Sequence, residues 1–281
     1  MEKRQQPVLS WILMSTVGTQ SVGNLLREWR QRRRLSQLEL ALDADISSRH
    51  LSFVETGRSQ PSREMLLRLA EQLDVPLRDR NTLLIAAGFA PVFEARPFVD
   101  PELENAREAV NLVLAGHEPN PTFAIDRHWT MVTANRAAHA FLTGVEPWLL
   151  QPPLNVLRLT LHPGGVAPRI VNYAEWRSHL LSRLRRQIDV SGDTILEGLL
   201  KELRNYPPPA GHDTQTGIAQ TNYGGVIVPL KLMTEAGVLS FISTTTVFGT
   251  AVDITLSELA LETFFPADPA TSAVLSAMAE K

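Results

Sequence analysis

The chain contains no cysteine. That excludes disulfides, thiolate nucleophiles and zinc or iron–sulfur sites built on Cys, and it suits a reducing cytoplasm. Long apolar runs are also missing. No stretch approaches the ~18 residues of a membrane span, so no membrane partner is expected. The nearest run, Val8 to Val17, is interrupted by Ser10, Ser15 and Thr16. Lys3 and Arg4 precede it, but no small-residue cleavage site follows. Residues 1–20 therefore read as a disordered leader, with Met14 as an alternative start. The 7 histidines are scattered and form no H-E-x-x-H pair. No G-x-S-x-G nucleophile elbow occurs. Gly164-Gly165 and Gly224-Gly225 lack the Lys and Ser/Thr that follow a phosphate-binding loop. Neither an enzyme nor a metal or redox cofactor is expected.

What is present is ordinary globular material: 281 residues, 44% hydrophobic and 20% charged, enough for two domains with sizeable cores. The net charge of −3 hides an asymmetry. Through Ala90 there are 13 Lys and Arg against 10 Asp and Glu, a balance of +3; the remainder has 14 against 20, a balance of −6. Nearly all the basic residues are Arg, whose planar fork suits bidentate contact with phosphate and guanine. A polyanion partner is implied for the first part only.

The first part reads as five short helices. Val22, Leu25, Leu26 and Trp29 make one apolar stripe, with Arg27, Arg30, Arg32, Arg33 and Arg34 on the other side, too many for internal pairing, so that several should face a polyanion or water. Ser36 and Glu39 form a capping box, behind which Leu38, Ala41 and Leu42 supply an inward face. Asp43 to Asp45 is a short turn, Ser47 caps a helix through Glu55 with Leu51 and Val54 inward, and Gly57 ends it. Pro61-Ser62 opens a fourth helix, and a fifth runs from about Leu77 to Ala87. A tight helix-turn-helix among short helices is a DNA-reading architecture.

Arg30, Leu35-Ser36-Gln37, Glu39-Leu40-Ala41, Ile46-Ser47, Leu51-Ser52, Val54-Glu55, Gly57-Arg58 and Pro61-Ser62 resemble the Xre family of phage-repressor-like regulators over roughly Val22 to Gly88. The resemblance departs at Asp45, where the family usually has glycine. It implies a lambda-repressor-like domain over residues 21–92 that binds double-stranded DNA. Gln37 would meet a phosphate; Ser48, Arg49 and Phe53 would read bases, with Ser47 and Ser52 nearby; Arg58 would hold a phosphate. Phe53 has two readings, a thymine methyl or local packing. Arg30 and Glu55 would form an internal ion pair that reads nothing.

Glu94 to Pro101 reads as a linker and Glu102 to Ala115 as a connecting helix, together residues 93–118. The sequence FAIDRHWTMVTANRAAHAFL then gives strand, Asp turn, strand and an Asn135-capped helix. It resembles the opening of a PAS domain, and more closely the ligand-binding domain of MmyB-like regulators. Trp176 to Ile188 is an amphipathic helix and Ile195 to Leu203 another. Gly225 to Met233 and Val238 to Phe248 read as a hairpin, Leu256 to Phe264 as a final helix, and residues 267–281 as a flexible tail.

The fold class expected is α followed by α+β: five helices, then a PAS-like domain over 119–266 with an antiparallel sheet and helices. The resemblance implies an apolar small molecule, with fatty acids the suggested class, in a cavity lined by Phe123, Trp129, Phe141, Leu142, Trp176, Leu180, Leu184, Phe241 and Phe248. Large apolar side chains are core residues by default, so each also has the plainer reading. His179, Arg177, Arg185 and His162 are candidate carboxylate anchors. The expected protein is a cytoplasmic, ligand-responsive homodimer on a palindromic operator. The alternative gives the second domain only dimerisation or protein docking.

Overall fold

The computed structural model describes residues 20–209, 227–249 and 253–279. The Val8–Val17 run, Gly224-Gly225 and the first residues assigned to the hairpin lie outside them. The chain divides into two compact units, Met1–Glu94 and Ala95–Lys281.

The first unit holds α1 (Val22–Arg32), α2 (Gln37–Asp43), α3 (Ser48–Glu55), α4 (Arg63–Gln72) and α5 (Leu77–Ala86). Four starts are set by serine. Ser21, Ser36, Ser47 and Ser62 each accept a hydrogen bond from a backbone N–H in the first turn, and Ser36 with Glu39 completes the capping box. Asp45 carries the α2–α3 turn at φ 52°, where a glycine would sit without strain. Gly57 ends α3 at φ 72°. Leu26, Trp29, Leu40, Ala41, Leu51, Val54, Leu66, Leu69 and Leu84 close the core. Leu38 and Leu42 do not join it. They are 59% and 70% exposed. At 100° per residue the inward face of α2 is Leu40, Ala41 and then Ala44, so Leu38 and Leu42 turn outward.

The second unit is a five-stranded antiparallel sheet with helices. Its strands are β1 (Thr122–Ile125), β2 (Met131–Ala134), β3 (Leu230–Thr234), β4 (Gly237–Val247) and β5 (Ala260–Pro266), ordered β2-β1-β5-β4-β3. Its helices are α6 (Glu104–Gly116), α7 (Val156–Leu161), α8 (Tyr173–Ser191), α9 (Thr194–Arg204), α10 (Ile254–Ser257) and α11 (Pro269–Ala279). Alternation along the strands sends successive side chains to opposite faces. Phe123 and Phe264 join the main core with α7, α8 and α9, while Ala124 and Leu261 meet Val110 and Leu114 of α6. Buried Asn135 ties these parts. Its Oδ1 accepts from Thr122 N and Ala138 N, and its Nδ2 donates to the Leu114 and Asn120 carbonyls. The segment it caps, Ala137–Leu142, is 3-10 rather than α.

Three expectations change. The stretch expected as a final helix is one turn, α10, followed by strand β5 in the middle of the sheet. Pairing with β1 and β4 on both sides overrides the helical look of LSELALE. The tail is a helix. Asp268 accepts from Thr271 N, Thr271 Oγ1 accepts from Ser240 N, and Leu275 is buried. The stretch expected as a linker is anchored to the second unit: Arg96 pairs with Glu102 and Asp253, and Phe98 packs on the α6 cluster.

Candidate DNA interface and ligand cavity

Helix α3 stands on a buried ion pair. Arg30 Nε donates to Glu55 Oε1 at 2.6 Å and its Nη2 to Glu55 Oε2 at 2.8 Å. The third nitrogen, Nη1, donates to the Leu35 carbonyl at 2.9 Å. Burial alone would raise the Glu55 carboxyl, but hydrogen bonds from Arg30 and Gln37 and the charges of Arg30 and Arg27 outweigh it and hold it below its ordinary range. The same bonds raise Arg30. One guanidinium therefore joins α1, the start of α2 and the end of α3. The pair expected from the sequence is in place.

Gln37 belongs to the same group, since its amide donates to Glu55 Oε2 at 2.8 Å. Sequence reasoning missed Gly23. A Cβ there would sit 2.6 Å from the Glu55 carbonyl oxygen and closer still to that of Val54. Only glycine lets α1 lie against the α3 backbone. The signal was available, because a glycine inside a helical stripe is costly unless something approaches it.

The outward side of α3 presents Ser47, Ser48 and Arg49 to solvent, with Ser52 and Phe53 half-buried. The Phe53 ring is shared by two cations, with the Arg49 guanidinium carbon 5.4 Å and that of Arg58 5.9 Å from its centroid. Phe53 thus packs locally and gathers Arg49 and exposed Arg58 into one basic patch. Not every arginine of α1 and its end faces outward. Arg33 donates to the Leu73 carbonyl at 2.7 Å and the Asp74 carbonyl at 2.8 Å, capping the end of α4.

Between α7, α8 and the sheet the second unit holds a partly open cavity of about 60 Å³. Phe123, Trp129, Phe141, Leu142, Trp176 and Leu180 line it. Leu184 and Phe241 do not; both are fully buried in the adjoining core, where Phe241 meets Phe141 edge-on at 5.3 Å. Phe248 lies elsewhere, packed on the cluster that Val110 and Leu114 of α6 form with Ala124, Leu259 and Leu261. Phe241 and Phe248 are an odd number of residues apart, and side chains an odd number apart leave a regular strand on opposite faces.

Trp129 sits at φ 66°, strained for a bulky residue. Asp126 fixes that turn by accepting from His128 N and Thr130 N, each at 2.8 Å. The Trp129 indole donates to Gln187 Oε1 at 2.8 Å and lies 4.7 Å from the Arg183 guanidinium. Arg183 forms a forked pair with buried Glu262, and Thr245 Oγ1 donates to the same carboxylate at 2.7 Å. The Trp176 indole N–H is buried and has no hydrogen-bond partner among the described residues.

None of the four anchors expected for a carboxylate lines the cavity. Arg177 donates to the Leu203 and Arg204 carbonyls at the end of α9. His162 Nδ1 accepts from Gly164 N. His179 is held below its ordinary range by burial, then by Arg183 and Arg186, and Arg185 is exposed. The cation at the wall is Arg183, and its partner Glu262 is 79 residues away, so spacing carried no signal of the pair. Among the described residues no cluster of His, Asp and Glu could hold a metal, and no helix is long and apolar enough to cross a membrane.

The Helix-turn-helix family model matches residues 26–79, the span from α1 into α5. With the brace and the capped α2–turn–α3 unit, this makes the protein a DNA-binding transcription regulator of the Xre-like helix-turn-helix type. The model described as the MmyB-like transcription regulator ligand binding domain matches residues 106–278. That is more than half of the chain, and the chain belongs to this family. One similar solved structure is the clp gene regulator ClgR from Corynebacterium glutamicum, at 27% identity over 36% of this chain and 94% of that chain, with a TM-score of 0.22. That superposition is too poor to carry an argument. No curated protein matches the chain.

Proposed function

We propose that the protein is a cytoplasmic homodimeric regulator whose PAS-like second unit binds a small apolar molecule and so alters operator binding by the first. Arg49 reads a base edge, with Ser48 beside it. Ser47, Ser52 and Arg58 contact the backbone, and Gln37 sets the register from the start of α2. Phe53 holds Arg49 and Arg58 in place. One α3 reads too few base pairs for specificity, so two copies would engage half-sites about one helical turn, ~34 Å, apart. A ligand that fits one dimer geometry better would shift the population towards it.

The observation that carries the ligand reading is the apolar cavity in the unit that matches a ligand-binding family. At about 60 Å³ it is smaller than the ~300–1,000 Å³ of most ligand sites, so a long acyl chain would have to open it. A fatty acid, the class suggested by resemblance, also finds the wall's cation already paired with Glu262. Native mass spectrometry of the purified full chain tests the reading. A reproducible small-molecule adduct whose removal changes affinity for DNA supports it. A ligand-free protein whose DNA affinity no cell extract alters would leave the second unit as a dimerisation or docking module.

A further inference from the structure

We infer that the two units turn on one short pivot, Glu94 and Ala95, and that a dimer held by the second units therefore fixes the spacing of the DNA half-sites. The inference rests on the homodimer reading above and adds what sets its geometry. On either side of the pivot the chain is tied to its own unit. On the first side it leaves α5 at Gly88, left-handed at φ 83°, and folds back. Phe89 N donates to the Leu84 carbonyl at 2.8 Å, and its side chain packs on the first core. Half-buried Asn81 of α5 then takes up three backbone groups of one dipeptide. Its Oδ1 accepts from Val92 N at 2.9 Å and Phe93 N at 3.1 Å, and its Nδ2 donates to the Phe93 carbonyl at 2.6 Å. Backbone groups outside helices and strands need partners of this kind, and these hold the chain to α5 through Phe93.

On the second side the tie is Arg96. Its Nη1 lies 3.3 Å from buried Asp253, the N-cap of α10, and its Nη2 2.7 Å from Glu102. Its carbonyl accepts from Thr255 Oγ1. Arg107 of α6 then donates to the Phe98 and Asp100 carbonyls at 3.1 and 2.6 Å. Each of these bonds stays within its own unit. Only Glu94 and Ala95, both exposed, stand between the two ties. Phe93 and Arg96 are three residues apart, so their Cα atoms stay within about 11 Å of each other however the units turn. A reading unit on so short a tether reaches a second half-site only where the dimer already presents it, because effective concentration falls to near zero when a linker fails to span two sites.

The test uses duplexes with two inverted copies of the half-site that the full chain selects from a random pool, at the selected spacing and with five base pairs added. The addition moves the second half-site ~17 Å along the axis and to the opposite face of the duplex. The native chain should bind the lengthened duplex roughly a hundredfold more weakly, no better than a single half-site. A variant with twelve Gly and Ser residues inserted between Glu94 and Ala95 gains a span of ~19 Å and should lose less than about threefold. Native binding unmoved by the five base pairs would overturn the short pivot. Equal losses in the native and inserted chains would overturn the second units as what fixes the spacing. A single half-site bound as tightly as the pair would remove the homodimer reading, and this inference with it. Amide exchange by NMR tests the first tie apart from dimerisation. Val92 and Phe93 should exchange about five- to tenfold faster in Asn81→Ala, the worth of one hydrogen bond, with the amides of α1 to α3 unchanged. Equal exchange in the two proteins would overturn the Asn81 tie.

Discussion

Replacing Arg30 with methionine would leave the Glu55 carboxylate 4% exposed with only the Gln37 amide against it. Removing one member of a buried pair costs ~3–5 kcal/mol, whereas replacing both by apolar groups of similar size is often close to neutral. Arg30→Met should therefore lower the stability of the first unit by about that amount, and the double variant Arg30→Met/Glu55→Leu should recover most of it. Part of the loss will persist in the double variant, because Arg30 also holds the Leu35 carbonyl at 2.9 Å and Gln37 loses its acceptor. Hydrogen exchange of the full chain, read peptide by peptide, measures this directly. Opening of α1 and α3 should speed by roughly two to three and a half decades in the single variant, at 1.4 kcal/mol per decade, and peptides of the second unit serve as the control. DNA affinity should fall with the folded population, but the salt dependence should not change, because Arg30 touches no phosphate. Equal losses in the single and double variants, or a flatter salt slope, would refute the brace.

Gly23→Ala should destabilise the first unit by ~1–3 kcal/mol, since its Cβ would collide with the α3 carbonyls; urea unfolding of the full chain tests this. Glu55 is depressed, so its contribution is full above the ordinary carboxylate value of 4.5 and is lost as pH falls through the native value below it. Acid should therefore open the first unit's helices below that value, as exchange at stepped pH would record, and Glu55→Gln should blunt the dependence. Arg49→Ala should relax preference at one base pair by ~1–3 kcal/mol, while Arg58→Ala should weaken all sequences alike; fluorescence anisotropy on a selected site and a scrambled one separates the two.

Local chemistry explains what could be read in advance. The serine caps, the Ser36–Glu39 box and Gly57 act within a few residues, so they stand in the sequence as plainly as in the fold. The brace was legible only through resemblance, because Arg30 and Glu55 are 25 residues apart. Phe248 was misplaced although strand parity with Phe241 was available. Asp268-Pro269 is a helix start that small, polar neighbours disguised. Strand β5 could not have been read locally. Its register is set by β1, well over 100 residues earlier, and by β4. The cavity's polar wall was hidden for the same reason, since Arg183 on α8 and Glu262 on β5 are 79 residues apart and meet only in the folded chain.

Selection of binding sites by the full chain from a random duplex pool tests the central claim most directly. Inverted repeats with half-site centres about 10–10.5 base pairs apart should be enriched, and Arg49→Ala should lose the preference at one base pair of each half-site while still retaining DNA. A pool that stays random with the native chain, or is enriched equally by Arg49→Ala, would contradict it.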